Sequence, residues 1–173
     1  MLRLRPYKPC DARVITQWIK DEYSLHLWGS NKYENYPITP EDMNRYYDKD
    51  KNNDKIWAMT AFEDNGTIMG HLTMRFPKAD DLYHIRLGFV IVDDRQRGKG
   101  YGTEMVSLAV SYAFNILKVK KVSLGVFENN PAAIQCYESC GFKKVPQDSP
   151  KTRCCMGEEW NCIEMECISC QKN

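Results

Sequence analysis

The feature that most constrains the fold is a basic, glycine-rich segment with the sequence RQRGKGYGT at residues 95–103. An apolar run at residues 87–92 precedes it and is typical of a buried strand. Apolar residues then recur from Tyr101 to Ile116 at the spacing of one helical face. The chain therefore predicts a strand, a tight loop and a helix in direct succession.

The composition of this loop favours an oxyanion such as a phosphate as its ligand. Gly98, Gly100 and Gly102 let the backbone turn sharply and bring its N–H groups close to a ligand. The helix N-terminus adds unpaired donors and the positive end of a dipole, and Arg97 and Lys99 add full charges. The alternative is a glycine turn with a solvated basic rim, because a glycine cluster taken alone is a weak signal.

Two nucleotide-binding patterns can be compared with this loop. Walker A requires two glycines separated by four residues and followed by Lys and Ser or Thr, and the chain does not match it. A dinucleotide fingerprint has the form G-x-G-x-x-G with an acidic residue about 20 positions later. The chain has G-x-G-x-G, and the segment after the helix, residues 118–121, is basic. A dinucleotide site is therefore disfavoured but stays open.

A second motif lies one helix and one strand beyond the loop. The loop resembles the Q/R-x-x-G-x-G/A pattern of the GNAT superfamily of acyl-CoA-dependent N-acyltransferases. Residues 130–142, NPAAIQCYESCGF, resemble that family's N-x-x-A-x-x-x-Y-x-x-x-G-F segment. The two motifs stand in the family's order and separation, and the resemblance is sharp from about Tyr83 to Phe142. The N-terminal Leu-Arg-Pro opening is more weakly similar to the branch that contains ribosomal-protein alanine acetyltransferases.

The resemblance implies a single GNAT-like acetyltransferase domain over residues 1–173. The expected fold is α/β (α+β) with three layers, in which helices cover both faces of a central, mixed and mostly antiparallel sheet. Two parallel strands joined by a right-handed crossover should splay apart near a bulge, which we expect at Gly88. Residues 25–37 show no clear periodicity, and residues 147–157 are predicted to form a polar loop.

Acetyl-CoA is the cosubstrate that the resemblance implies. Val90 and Val92 would pair with pantetheine amides, and the loop backbone would hold the pyrophosphate. Asn130 would contact the cosubstrate, cap the following helix, or do both. The complete set of expected acetyl-CoA-binding residues is Val90, Val92, Arg97, Gly98, Lys99, Gly100, Tyr101, Gly102, Thr103 and Asn130.

The implied reaction is direct attack of a neutral primary amine on the thioester in a ternary complex. A backbone N–H near Phe89 or Val90 would stabilise the oxyanion. Tyr137 would protonate the leaving thiolate, unless it is a core tyrosine that holds its helix on the sheet. Many relatives place a glutamate base on the strand before the loop, where this chain reads YHIRL at residues 83–87. His84 and Glu128 are therefore the candidate bases, with water-relayed deprotonation by backbone carbonyls as the alternative.

The acceptor site is expected near the N-terminus, where the family places two helices and their connection over the acceptor. Asp11 and Thr39 are the predicted caps of these helices. Trp28, Tyr33 and Tyr36 are the candidate acceptor-binding residues, together with Tyr46. The alternative is that these aromatic side chains fill a core under a long loop. The acceptor itself stays open among a protein N-terminus, an amino acid, a polyamine and a drug amine.

Composition excludes some partners and favours others. The formal net charge is +1, so no global field attracts nucleic acid or a membrane. No apolar run approaches the about 20 residues of a membrane span, and the N-terminus lacks a signal peptide's apolar core. We therefore expect a cytoplasmic monomer or homodimer whose partner is a small-molecule or peptide amine.

The eight cysteines are expected to be thiols, because no secretory signal accompanies them. Cys167 and Cys170 form one C-x-x-C pair, but no second pair stands at zinc-finger spacing, so no metal is expected.

Three functions compete. The first is an acetyl-CoA-dependent N-acetyltransferase. The absent carboxylate motivates the second, a non-catalytic acyl-CoA-binding or sensor domain, and the third is a nucleotide-binding protein that uses the same loop.

Overall fold

The computed structural model describes residues 1–147, 149 and 151–169. In these ranges the chain forms an eight-stranded sheet and five α-helices. The helices are α1 (Ala12–Ile15), α2 (Glu22–Gly29), α3 (Pro40–Asp48), α4 (Tyr101–Asn115) and α5 (Pro131–Ser139). The strands are β1 (Arg3–Pro6), β2 (Ile56–Phe62), β3 (Ile68–Arg75), β4 (His84–Val92), β5 (Lys121–Phe127), β6 (Lys143–Lys144), β7 (Lys151–Cys155) and β8 (Glu158–Ile168).

The sheet has the order β1-β2-β3-β4-β5-β8-β6, and β7 pairs with the outer part of β8. Every pairing is antiparallel except that of β4 with β5, which are parallel and joined through α4. Two large buried clusters lie on this sheet, one with α4 and α5 and the other with α1 to α3, and a small third cluster contains Phe127, Cys155 and Trp160. The predicted three-layer, mixed and mostly antiparallel fold is confirmed.

Each face of the sheet has its own core. The larger core lies under α4 and α5 and contains fully buried side chains such as Leu72, Met105 and Val122. The second core lies under α1, α2 and α3 and includes Ile15, Trp18 and many aromatic rings. Alternation along the central strands sends neighbouring residues to opposite cores, because successive strand side chains point to opposite faces. The sheet thus separates a glycine-loop side from an aromatic side.

The parallel strands β4 and β5 pair over only three residues each, from His84 opposite Lys121 to Arg86 opposite Ser123. Beyond Arg86 the two strands splay apart. On its other edge β4 carries a bulge, since Thr73 of β3 pairs with Gly88 but His71 pairs with Ile91. The predicted site of the bulge was therefore wrong by one residue: Gly88 keeps its pairing, and the extra residue lies at Phe89–Val90.

The backbone at Phe89 has a positive φ of 49°, which is uncommon for a bulky residue and stores strain. This conformation turns the Phe89 ring into the aromatic core. The Phe89 carbonyl accepts a hydrogen bond from Nε1 of Trp28 at 2.8 Å. The strained residue is thus held from both ends, by its ring and by its carbonyl group.

Three local predictions were wrong. Asp11 occupies the N-cap position of α1, but its side chain makes no cap hydrogen bond to that helix. The carboxylate is buried and accepts hydrogen bonds from the Arg5 guanidinium, the Lys8 amide and Thr60 instead. The segment without periodicity begins inside a helix, since residues 25–29 belong to α2, which Asp21 caps by accepting from the Ser24 amide. The predicted polar loop after Gln147 contains β7, whose pairing with β8 compensates for its polar sequence.

Candidate functional site

A cleft of about 510 Å³ opens where β4 and β5 separate. One wall is the edge of β4 from Val90 to Val92, and the opposite wall is α5. The glycine loop closes one end, and Leu27 and Trp28 of α2 stand at the other. The splayed strands therefore produce an elongated cavity that runs from the N-terminus of α4 to the aromatic side of the sheet.

The glycine loop presents bare backbone to this cleft. Gly98 and Gly100 have φ values of 78° and 85°, and an added Cβ at either position would meet no atom within 4 Å. Gly100 is the N-cap of α4 and has no side chain that could bond the first amides of the helix. These amides are therefore available to a ligand, and the helix dipole favours an anionic one.

The charged side chains of the loop have different positions. Asp93 accepts hydrogen bonds from the amide and the guanidinium of Arg95. These bonds fix the start of the loop and pair the Arg95 charge with a carboxylate. Lys99 donates to Gln96 at 2.7 Å and does not line the cleft. Arg97 does line it. Apart from Lys99, all the expected acetyl-CoA-binding residues lie in the wall of the cleft: Val90, Val92, Arg97, Gly98, Gly100, Tyr101, Gly102, Thr103 and Asn130.

The second motif forms the wall opposite β4. Asn130 caps α5 by accepting from the Ala133 amide at 3.2 Å, and it also lines the cleft. Tyr137 lines the cleft while its ring is 7 % exposed and lies 6.0 Å from the Phe142 ring. Burial raises the pKa of Tyr137 well above its ordinary value. The Tyr137 hydroxyl therefore stays protonated at neutral pH, as a proton donor must.

The two candidate bases do not line the cleft. His84 lies at the closed end of the parallel pair, where Nε2 is 2.7 Å from the Ser123 hydroxyl, and burial lowers its pKa. Glu128 is exposed on the turn after β5 and accepts a hydrogen bond from the Asn161 amide group. Within the described part of the chain, the residues that line the cleft include no Asp or Glu.

The three expected acceptor-binding residues have separate environments. Trp28 lines the cleft and stacks on Tyr33, with ring centroids 5.5 Å apart and an interplanar angle of 7°. Tyr33 is 8 % exposed and lies behind Trp28 in the aromatic core. Tyr36 is exposed, and its hydroxyl donates to the Lys20 carbonyl. The structure thus brings Trp28 to the cleft, while Tyr33 and Tyr46 support it from the core and Tyr36 lies outside the cleft lining.

Sequence reasoning missed several residues of the cleft. Ser24 and Leu27 line it from α2, a helix whose start is marked in the sequence by Asp21 three residues before Ser24. Cys136 lines it from α5. No hydrophobic pattern could have identified the Trp28 contact with Phe89, because it joins residues 61 positions apart.

No metal site is formed by the residues that the structure describes, since nowhere in them do three or more His, Cys, Asp or Glu side chains cluster suitably. Cys170 of the C-x-x-C pair lies outside the described residues. The described helices include none that is long and apolar enough to cross a membrane.

An elongated cleft between splayed strands, with bare amides at one end, fits a long phosphorylated thioester. The fold and the cleft therefore define an acyl-CoA-dependent acyltransferase. A family model described as an acetyltransferase (GNAT) domain matches residues 1–143. The chain belongs to this family, and it is an N-acetyltransferase that uses acetyl-CoA as its cosubstrate.

Individual relatives agree with this assignment. An N-acetyltransferase 9-like protein from Caenorhabditis briggsae is 27% identical over 84% of this chain and 76% of its own length. A spermidine N(1)-acetyltransferase from Vibrio cholerae is 23% identical over 82% of this chain and 78% of its own length. The crystal structure of a Vibrio cholerae spermidine N-acetyltransferase in complex with CoA and spermine shares the fold. Its TM-score is 0.81 at 20% identity, over 96% of this chain and 95% of that chain. The ribosomal-protein branch stays a prediction.

Proposed function

We propose that this protein transfers the acetyl group of acetyl-CoA directly to a primary amine that enters the cleft past Trp28. The observation that carries the proposal is the continuous cleft between β4 and α5, which joins the glycine loop to Trp28 and passes Tyr137. In this arrangement the two substrates approach from opposite ends and meet near the Phe89–Val90 bulge. Holding both of them in line removes much of the entropic barrier to their reaction.

Each reacting region has a proposed group from this chain. The amides of residues 101–103 hold the pyrophosphate, and the edge of β4 at Val90 and Val92 pairs with the pantetheine arm. A backbone N–H at Phe89 or Val90 stabilises the developing oxyanion. Tyr137 donates its proton to the leaving sulfur, a role that its raised pKa supports.

The amine must lose its proton before it attacks. His84 and Glu128 are each engaged in a hydrogen bond and do not line the cleft, which argues against both as direct bases. We propose that the amine loses its proton to a chain of water molecules, which hydrogen-bond to backbone carbonyls along the open edge of β4 and pass the proton to bulk solvent. The rate at subsaturating amine should then increase with pH up to the pKa of the amine.

The acceptor is proposed to be a small-molecule or peptide amine. Trp28 and the rings behind it offer an aromatic wall, against which the alkyl chain of an amine can pack. Spermidine and spermine belong in a first test, because two of the similar proteins carry polyamine names. We further propose that the protein is a monomer or homodimer and that it is cytoplasmic; the location is supported because no disulfide bond joins any of the seven described cysteines.

The test is release of CoA thiol with a panel of amines: spermidine, spermine, single amino acids and short peptides with free N-termini. Mass spectrometry of the acceptor should show one added acetyl group for each thiol released. Trp28→Ala should raise the KM for the active amine much more than that for acetyl-CoA. Release of thiol without an acetylated amine, or equal effects on both KM values, would contradict the proposed acceptor path.

A further inference from the structure

A pair of cysteines lies between the cosubstrate cleft and the core, at the seam between α4 and α5. Cys136 in α5 and Cys140 at the C-cap of that helix are four positions apart, so both project from one side of the helix. The Thr103 hydroxyl lies 3.6 Å from Cys136 Sγ, and Cys140 Sγ donates to the Thr103 carbonyl at 3.5 Å. Of the two, only Cys136 is among the residues that line the cleft.

The sulfur of Cys136 occupies space that Gly102 leaves free. A Cβ added to Gly102 would approach Cys136 Sγ to 3.3 Å, so the thiol lies directly against the backbone of the first turn of α4. That turn begins at Gly100, which provides no side-chain cap. The same unpaired amides that suit a pyrophosphate therefore lie close to Cys136.

This environment favours the thiolate. The neighbouring Cys140 thiol lowers the pKa of Cys136, partial burial opposes this shift, and the Thr103 hydroxyl lowers the pKa further. The positive end of the α4 dipole acts in the same direction. The thiolate is the reactive form of cysteine, and the cleft gives small reagents access to it. A pyrophosphate at the same amides would both cover the sulfur and repel its negative charge.

We propose that Cys136 is a modification site for hydroperoxides, accessible only while acetyl-CoA is absent, and that its oxidation closes the cosubstrate cleft. This inference rests on the proposed position of acetyl-CoA in the cleft. The Cys136 thiolate attacks one peroxide oxygen, an S–O bond forms as the O–O bond breaks, and the leaving hydroxide takes a proton to become water. The product is a sulfenic acid. Its added oxygen lies at Gly102, where the backbone must otherwise approach the pyrophosphate.

The experiment treats the full chain with hydrogen peroxide in the presence of dimedone and maps the label on each cysteine by mass spectrometry. The expected result is label at Cys136 at least tenfold faster than at Cys10 and Cys154, which are both exposed. Saturating acetyl-CoA should slow the labelling of Cys136 by at least tenfold and leave the other two unchanged. Equal labelling of all three cysteines, or absence of protection, would overturn the proposal.

A second measurement connects the modification to binding. Acetyl-CoA affinity is measured by calorimetry before peroxide, after peroxide, and after dithiothreitol. After peroxide, the parent protein should lose at least 90% of its capacity to bind acetyl-CoA, and it should recover this capacity on reduction with dithiothreitol. Cys136→Ser should lose no capacity relative to its own untreated sample, whereas Cys154→Ser should behave like the parent. Sensitivity that persists in Cys136→Ser would contradict the inference.

The two proposals fail separately. If acetyl-CoA binds before oxidation but Cys136 shows no preferential labelling, only the modification site is wrong. If acetyl-CoA binding before oxidation is insensitive to substitutions in the glycine loop, the cleft assignment itself is wrong.

Discussion

Replacing Gly100 by Asp tests the electrostatic basis of the cosubstrate site. Gly100 has a φ of 85° and open space around its missing Cβ, so an aspartate side chain fits without a steric clash. It would place a unit charge about 5 Å from a phosphate bound at the first amides of α4. At an effective dielectric constant of about 20, two like charges at that distance repel by about 3 kcal/mol. The Kd for acetyl-CoA should therefore increase on the order of 100-fold.

Two control variants isolate this electrostatic effect. Gly100→Asn has nearly the same shape without the charge, and Asn and Asp both tolerate a positive φ better than other side chains. Gly157→Asp introduces the same charge at a φ of 77°, also in open space, on the turn between β7 and β8. Each substitution should cost about 1 kcal/mol of backbone strain, or about 2–4 °C in Tm. Only Gly100→Asp should combine this modest loss of stability with a large loss of affinity for acetyl-CoA.

The assay is isothermal calorimetry with acetyl-CoA, with thermal denaturation of each variant alongside. We expect Gly100→Asn to bind within about fivefold of the parent and Gly157→Asp to bind like the parent. If Gly100→Asp binds within threefold of Gly100→Asn, the pyrophosphate does not lie at the N-terminus of α4. The reasoning from bare amides to a phosphate site would then be refuted.

Three further predictions concern other parts of the molecule. Tyr137→Phe should lower kcat at least about tenfold, which corresponds to about 1.4 kcal/mol of activation free energy. The factor should be the same from pH 6 to pH 9, because burial keeps the Tyr137 hydroxyl protonated throughout this range. Turnover at the parent rate would make the residue structural. Burial alone would raise the pKa of Asp11, but hydrogen bonds from Arg5, the Lys8 amide and Thr60 lower it below its usual value. Asp11→Asn should therefore lose about 3 kcal/mol of unfolding free energy at pH 7, and urea titrations should show the difference shrinking as the pH falls below about 4; a constant difference would contradict this. The purified protein should contain no stoichiometric zinc and keep its Tm in EDTA, and one tightly bound zinc per chain would disprove the prediction.

The sequence predicted well those elements whose formation depends on neighbouring residues. The β4 strand, the glycine loop and α4 follow from an apolar run, turn residues and a helical period within one continuous segment. Thr39 caps α3 as expected, with Pro40 in the first turn. Such features depend on interactions within a few residues, and these can be inferred from sequence spacing alone.

Elements that depend on distant partners were predicted less well. Asp11 follows the pattern of a helix cap, but Arg5 and Thr60 compete successfully for its carboxylate. The bulge falls at Phe89 because Trp28 and the aromatic core hold that residue in its strained conformation, so the more permissive Gly88 is not needed there. Cys136 is one position from a motif residue, yet its contact with α4 becomes visible only when the two helices pack.

The separation of the two cores by the sheet has a consequence for how such an enzyme can diversify. Substitutions among the rings under α1 to α3 would alter the proposed entrance for the amine, and apart from Trp28, which lines the cleft, these rings lie on the face of the sheet opposite α4 and α5. Phe89 joins the two regions. Its carbonyl group accepts a hydrogen bond from Trp28 on the aromatic side, and its strained backbone leads directly into Val90 in the wall of the cleft. A lineage with this architecture can acquire a new acceptor by repacking one face, while the opposite face keeps the same acetyl donor.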